Sequence, residues 1–130
     1  MKYAALTGIS PPVIAELKLG RPRTLELHSA HNVITLASIE PDSFIYMTTT
    51  DYEDLTPGDQ GILVHVLGIS ISMSRVVEIS NPIFYEERER MAARIQVRYI
   101  CTSTVKKIEQ RTIGEPVLVD AVKPALYCAG

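Results

Sequence analysis

Residues 93–101 run Ala93-Arg94-Ile95-Gln96-Val97-Arg98-Tyr99-Ile100-Cys101, and the alternation in this stretch decides the fold class. Ala93, Ile95, Val97, Tyr99 and Cys101 fall on one side of a two-residue period, with Arg94, Gln96 and Arg98 on the other. Successive side chains of a strand point to opposite faces, so the pattern predicts a strand with one apolar and one solvated face. Upstream, residues 61–73 are rich in Ile and Val and predict one long strand or two, with Gly68 at a bulge or bend. Residues 75–79 continue the β pattern until Asn81-Pro82 stops it. Residues 82–93 are ambiguous. Glu86, Glu87, Arg88, Glu89 and Arg90 favour a helix there, with Phe84, Met91 and Ile95 near helical spacing.

Further out, residues 23–27, 33–38 and 43–48 read as three short strands, separated by Ser29-Ala30-His31-Asn32 and Glu40-Pro41-Asp42. Leu55-Thr56-Pro57-Gly58-Asp59 is a turn, and residues 105–111 and 116–122 add two β runs around a turn at Gly114. Near the start, Ser10 can cap a short helix, Pro11 suits its first position, and Gly20 can close it. Val13, Ile14 and Leu17 share one face of that helix, which is too short to stand alone in water and must dock on something larger. The expected fold is mainly β (α+β): six to nine short strands in a small β-barrel decorated by one or two short helices, closure hiding the strand edges. Residues 1–130 form one domain on this reading, with no internal repeat or linker.

With 46% hydrophobic and 22% charged residues, the 130-residue composition is that of a globule rather than a disordered tail. Thirteen Lys plus Arg against fifteen Asp plus Glu give a net charge of −2, which excludes a large uniform basic field but not a local basic stripe. Cys101 and Cys128 are too few for a disulfide framework and read as two reduced thiols; one bridge is geometrically conceivable, and spacing does not show it. The first six residues are too short for a signal-peptide core, and no apolar run approaches the ~18 residues of a membrane span. A cytoplasmic location and no membrane partner are expected.

Three clusters carry candidate chemistry. In Arg23-Thr24-Leu25-Glu26-Leu27-His28, a strand places Thr24, Glu26 and His28 on one face and Leu25 and Leu27 on the other. Glu26 beside His28 offers a proton-transfer couple, and Arg23 offers an anion contact; an ordinary exposed strand face gives the same letters. His28 and His31 are an alternative metal pair, yet they need a third ligand that nothing in the sequence orders, and bonding to the turn backbone is the favoured account of them. Arg94 and Arg98, joined by Lys106, Lys107 and Arg111, form a basic stripe beside the stacking candidates Tyr99, Tyr85 and Tyr46. Glu86, Glu87 and Glu89 can neutralise that stripe. No nucleophile elbow, phosphate-binding loop or dinucleotide fingerprint occurs.

The run from Arg23 to Asn32, the opening Ala5-Leu6-Thr7-Gly8-Ile9-Ser10 and the Glu53-Asp54-Leu55 to Gly58-Asp59 turn are similar to an archaeal family. This family is the domain of unknown function 473. The resemblance covers essentially the whole chain and implies no known activity. A looser likeness is to the ASCH group of PUA-like barrels, whose signature is G-x-K-x-x-E-x-R. Gly20, Arg23, Glu26 and His28 stand at its positions, with one extra residue between Gly20 and Arg23. That likeness implies a PUA-like barrel and a link to RNA or modified nucleosides. In the group a Lys and a nearby Thr can support amide hydrolysis. Arg23 cannot act as that base, because a guanidinium keeps its proton. The resemblance therefore implies binding without catalysis, with Arg23, Glu26 and His28 lining a cleft and RNA or a nucleotide as partner. The residues themselves add Thr24, His31 and Asn32 from the same segment and Arg94 and Arg98 as phosphate contacts; no cofactor is expected. The alternatives are hydrolysis of a modified nucleoside by Glu26 and His28, and a metal-binding or partner protein using His28 and His31.

Overall fold

The computed structural model describes residues 2–79 and 85–122, with side chains at residues 2–72 and 91–122. In chain order the elements are β1 (Lys2–Leu6), α1 (Pro11–Leu17), β2 (Arg23–Leu27), α2 (Ala30–Ala37), β3 (Phe44–Met47), β4 (Gln60–Ile79), β5 (Tyr85–Gln110) and β6 (Leu118–Ala121). They build one mainly β sheet in the order β2-β5-β4-β3-β1-β6, and β6 pairs back onto β5. Five strands therefore form a closed ring of hydrogen bonds, with β2 added on β5. No described helix is long and apolar enough to cross a membrane.

The alternation in β5 is borne out. Ala93, Ile95 and Val97 are buried while Arg94, Gln96 and Arg98 are exposed. Strand β4 is one strand, antiparallel to β5 from Gln60↔Thr104 to Ile79↔Tyr85, with a register shift beside Gly68 where a bulge was expected. Helix α1 starts at Pro11 and rests the buried Leu17 on the sheet, although the Ser10 hydroxyl makes no capping bond. Gly20 (φ +89°), Gly58 (φ +93°) and Gly114 (φ +83°) sit in the left-handed conformation that their turns require.

Two expectations are overturned. Residues 33–38 were expected to be a strand, and they lie largely in helix α2. The β-branched Val33, Ile34 and Thr35 suggest a strand, but burial of Asn32, Val33, Thr35 and Leu36 follows a helical stripe, and packing of that stripe outweighs propensity. Conversely, the charged stretch expected to favour a helix is extended from Tyr85 onward, because each residue from Tyr85 to Ala93 pairs with one of β4 between Ile79 and Ile71. The Asn81-Pro82 stop, Phe84 and Cys128 lie outside the described residues, as do the side chains of Tyr85, Glu86, Glu87 and Glu89.

Strand β1 carries no alternation in the sequence because both of its faces are covered. Ala4 and Leu6 join a core beneath the helices with Leu17, Val33, Leu36 and Ile95. Tyr3 and Ala5 join a second core with Tyr46, Leu55, Val105 and Val119. A strand buried on two faces reads as a continuous apolar run. Within the second core the Tyr46 hydroxyl donates to Asp59 Oδ2 at 2.5 Å, and the Thr50 hydroxyl donates to Oδ1. Burial, reinforced by the Asp59 hydrogen bond and charge, pushes the Tyr46 phenol far above its ordinary range.

Gly61 marks the tightest approach. A Cβ there would meet the Tyr46 ring at 2.6 Å and the Met47 carbonyl closer still. Gly61→Ala should cost about 1–3 kcal/mol, as overpacking does. The expected readout is a lower urea midpoint at unchanged slope; an unaltered midpoint would show that the Met47 backbone and the Tyr46 ring both yield freely.

Candidate functional site

A cleft of about 850 Å³ opens between β2, the β1–α1 junction and the loop at residues 51–54. Its volume lies in the range of ordinary small-molecule sites. Three local devices hold its walls. Gly8 takes a left-handed turn (φ +66°), and its N–H donates to the Thr50 carbonyl at 2.8 Å, bringing Asp51 alongside. Helix α2 delivers Asn32, whose Oδ1 accepts from the Thr7 N–H at 3.0 Å and whose Nδ2 donates to the Thr7 carbonyl at 2.9 Å. Arg111 reaches from the end of β5 and donates to the Leu55 carbonyl and, at 3.5 Å, to the Tyr52 carbonyl, pinning the loop.

Five residues of the predicted site meet here: Thr24, Glu26, His28, His31 and Asn32 line the cleft. His28 Nε2 lies 3.3 Å from Glu26 Oε1, both largely exposed. The His31 ring faces Tyr52, with centroids 4.8 Å apart. Burial lowers the His31 imidazole below its ordinary 6.5, and nearby Asp51 partly offsets this. Asp51, Tyr52, Glu53 and Asp54 complete the wall. No Lys or Arg is among the described lining residues, so Glu26, Asp51, Glu53 and Asp54 make the cleft anionic.

The remaining predicted residues lie elsewhere. Arg23 sits on the Leu25–Leu27 side of β2, where it pairs with Glu16 of α1 at 2.9 Å, and it does not line the cleft. Arg94 is opposite Glu26 in register and 3.7 Å from its carboxylate, so it marks the cleft's rim. Arg98 is four residues further along β5 on the same face, exposed and opposite His65. Arg111 pins the loop instead of extending the stripe, and Lys107 lies near Glu109 at 4.0 Å. Tyr46 is fully buried and Tyr99 packs half-buried on the core, so neither offers an open stacking face. The described residues hold no group of three or more His, Cys, Asp or Glu side chains that could bind a metal ion, leaving His28 and His31 without a third ligand.

The family model for a protein of unknown function, DUF473, matches residues 1–119. The chain belongs to this family. An uncharacterized protein from Methanocaldococcus jannaschii is 28% identical over 109 residues, covering 84% of this chain and 68% of the relative. No solved structure matches. DUF473 membership carries no activity with it, so the reaction or ligand must be argued from the cleft. Sequence reasoning passed over Thr7, Asp51 and Tyr52, for which the turn at Gly8 was the one available signal.

Two outcomes follow from this geometry. Asn32→Ala strips both partners from the buried Thr7 backbone and should lower stability by about 1–3 kcal/mol in urea denaturation, with Asn32→Asp intermediate. Because folding depresses the His31 imidazole, the unfolded chain takes up that proton at higher pH than the folded one. The residue therefore costs stability once pH falls through about 6.5 and costs none above it. Between about pH 8 and pH 5.5, His31→Gln should lose fewer degrees of melting temperature than the parent protein.

Proposed function

We propose that this chain is a nucleic-acid or nucleotide-binding module on a PUA-like scaffold. The observation that carries the reading is the junction of Glu26 and Arg94, where the cleft meets a cationic edge. A nucleotide has two unlike ends, and this surface has two unlike parts. The base end enters the cleft, where the His31–Tyr52 ring pair and the carboxylates line the wall. The phosphate end lies along Arg94, Gln96 and Arg98, which share the solvated face of β5 beside Thr24 and Glu26. Phosphate contacts of this kind supply salt-sensitive affinity, while groups in the cleft read the base.

A second reading is favoured by the Glu26–His28 contact at 3.3 Å inside the cleft. Such a pair can relay a proton and would suit hydrolysis of a modified nucleoside. Glu26→Gln separates the two, since it abolishes turnover if chemistry occurs and spares phosphate-driven binding.

Fluorescence anisotropy of labelled single-stranded RNA at two salt concentrations checks the binding reading. Saturable binding that weakens with salt is expected. Arg94→Ala and Arg98→Ala should each lower affinity and reduce the slope of log K against log salt by about 0.7, the value for one contact on a single strand. Flat titrations at both salts would overturn the reading.

A further inference from the structure

We infer, on the basis of that reading, that the ligand is a single strand of nucleic acid rather than a lone nucleotide, and that Phe44 and His65 form a platform on which a further base of the strand stacks. The platform lies at the far end of the arginine strip. Phe44 of β3 is opposite His65 of β4, and His65 is opposite Arg98 of β5, so the three side chains stand in a row on one face. Two residues away on β3 and β4 this face is buried, at Tyr46 and Leu63 of the second core, and it reaches solvent at Phe44.

A single exposed aromatic is ordinary on a protein surface. Phe44, 51% exposed, differs in being stacked on a second ring, with centroids 5.1 Å apart and planes inclined by 28°. That second ring is itself held. His65 Nε2 lies 3.2 Å from Asp42 Oδ1, and the Asp42 N–H ties its turn to β4 by donating to the Val66 carbonyl at 2.8 Å. An aromatic platform beside a cationic track suits a single strand, because every base has a face that can stack and every link carries a phosphate. From Arg94 to Arg98 the strip runs about 13 Å along β5, and Phe44 lies two strand spacings, about 10 Å, to the side. A ligand with one base in the cleft reaches the platform only through further nucleotides. Between the two, Gly68 and Ser70 of β4 stand opposite Gln96 and Arg94, and a Cβ at Gly68 would meet nothing within 4 Å among the described residues, which leaves the strand room.

The chain has no Trp, so Phe44→Trp places a single indole in the platform, and a base stacking on it quenches its emission. The full chain with this substitution is titrated with octauridylate, with its deoxy counterpart and with uridine 5′-monophosphate. Either octamer should quench saturably, and the monophosphate at equal nucleotide concentration should not. In anisotropy, Phe44→Leu should weaken octauridylate binding about tenfold or more, the value of one stacked base, at an unchanged salt slope, whereas Phe44→Tyr should bind as the parent does. Octamer binding without quenching, or without a loss in Phe44→Leu, would overturn the inference and leave the nucleotide reading intact. Equal quenching by the monophosphate would overturn it too, since one nucleotide would then suffice. A blue shift of the indole emission with protein concentration, in the absence of ligand, would assign the face to a second copy and reject the inference as well. Absence of octamer and monophosphate binding in the parent would remove the nucleotide reading together with it.

Discussion

Strand β5 does two jobs with one backbone. It pairs with β4 as far as Thr104 and then with β6 from Val105 to Gln110, and this second engagement closes the ring. Closure leaves the chain with few unpaired strand edges to protect. Between Ala93 and Val97, β5 also carries β2. Strand β2 is thereby placed outside the ring, with Thr24 and Glu26 towards solvent and Leu25 and Leu27 towards the helices. The cleft exists because β2 stands there, at a distance from the loop at 51–54 that the Gly8 turn and the Arg111 clamp fix.

Charge is divided sharply across this surface although the whole chain is close to neutral. Carboxylates gather inside the cleft while Arg94 and Arg98 remain outside it. Among the described residues they meet at Arg94 with Glu26, a pair exposed on both sides. An exposed pair of this type is worth about 0–1 kcal/mol, too little to hold either partner against a competing ligand group. Glu26 is therefore available to the cleft and Arg94 to an incoming phosphate. Arg23 is the contrast, since it bridges β2 to Glu16 of α1 and serves the scaffold.

Much of the scaffold was legible in the sequence, for reasons that differ between elements. Strands β2 and β5 show their period because each has one wet face. Gly20, Gly58 and Gly114 mark turns because only a residue without a side chain takes those angles easily. Strand β1 left no such mark, being covered on both faces. Helix α2 was hidden by β-branched residues whose helical spacing matters only once a sheet lies beneath them. Of the site, Thr24, Glu26, His28, His31 and Asn32 were legible because they crowd into nine consecutive residues. The opposite wall was not. Asp51 and Tyr52 are brought to the cleft by Gly8 and by Arg111, which lies 59 residues from Tyr52, and no local pattern records contacts of that range.

The central claim is that one ligand spans the cleft and the arginine strip together. Amide chemical-shift mapping of the isotope-labelled protein with a short single-stranded RNA tests this most directly. The account predicts saturable shifts in four separate segments: Thr7 and Gly8, residues 24–29, residues 51–54, and Arg94 to Arg98. Shifts confined to β5 with an unperturbed cleft, or no shifts in any of the four segments, would contradict it.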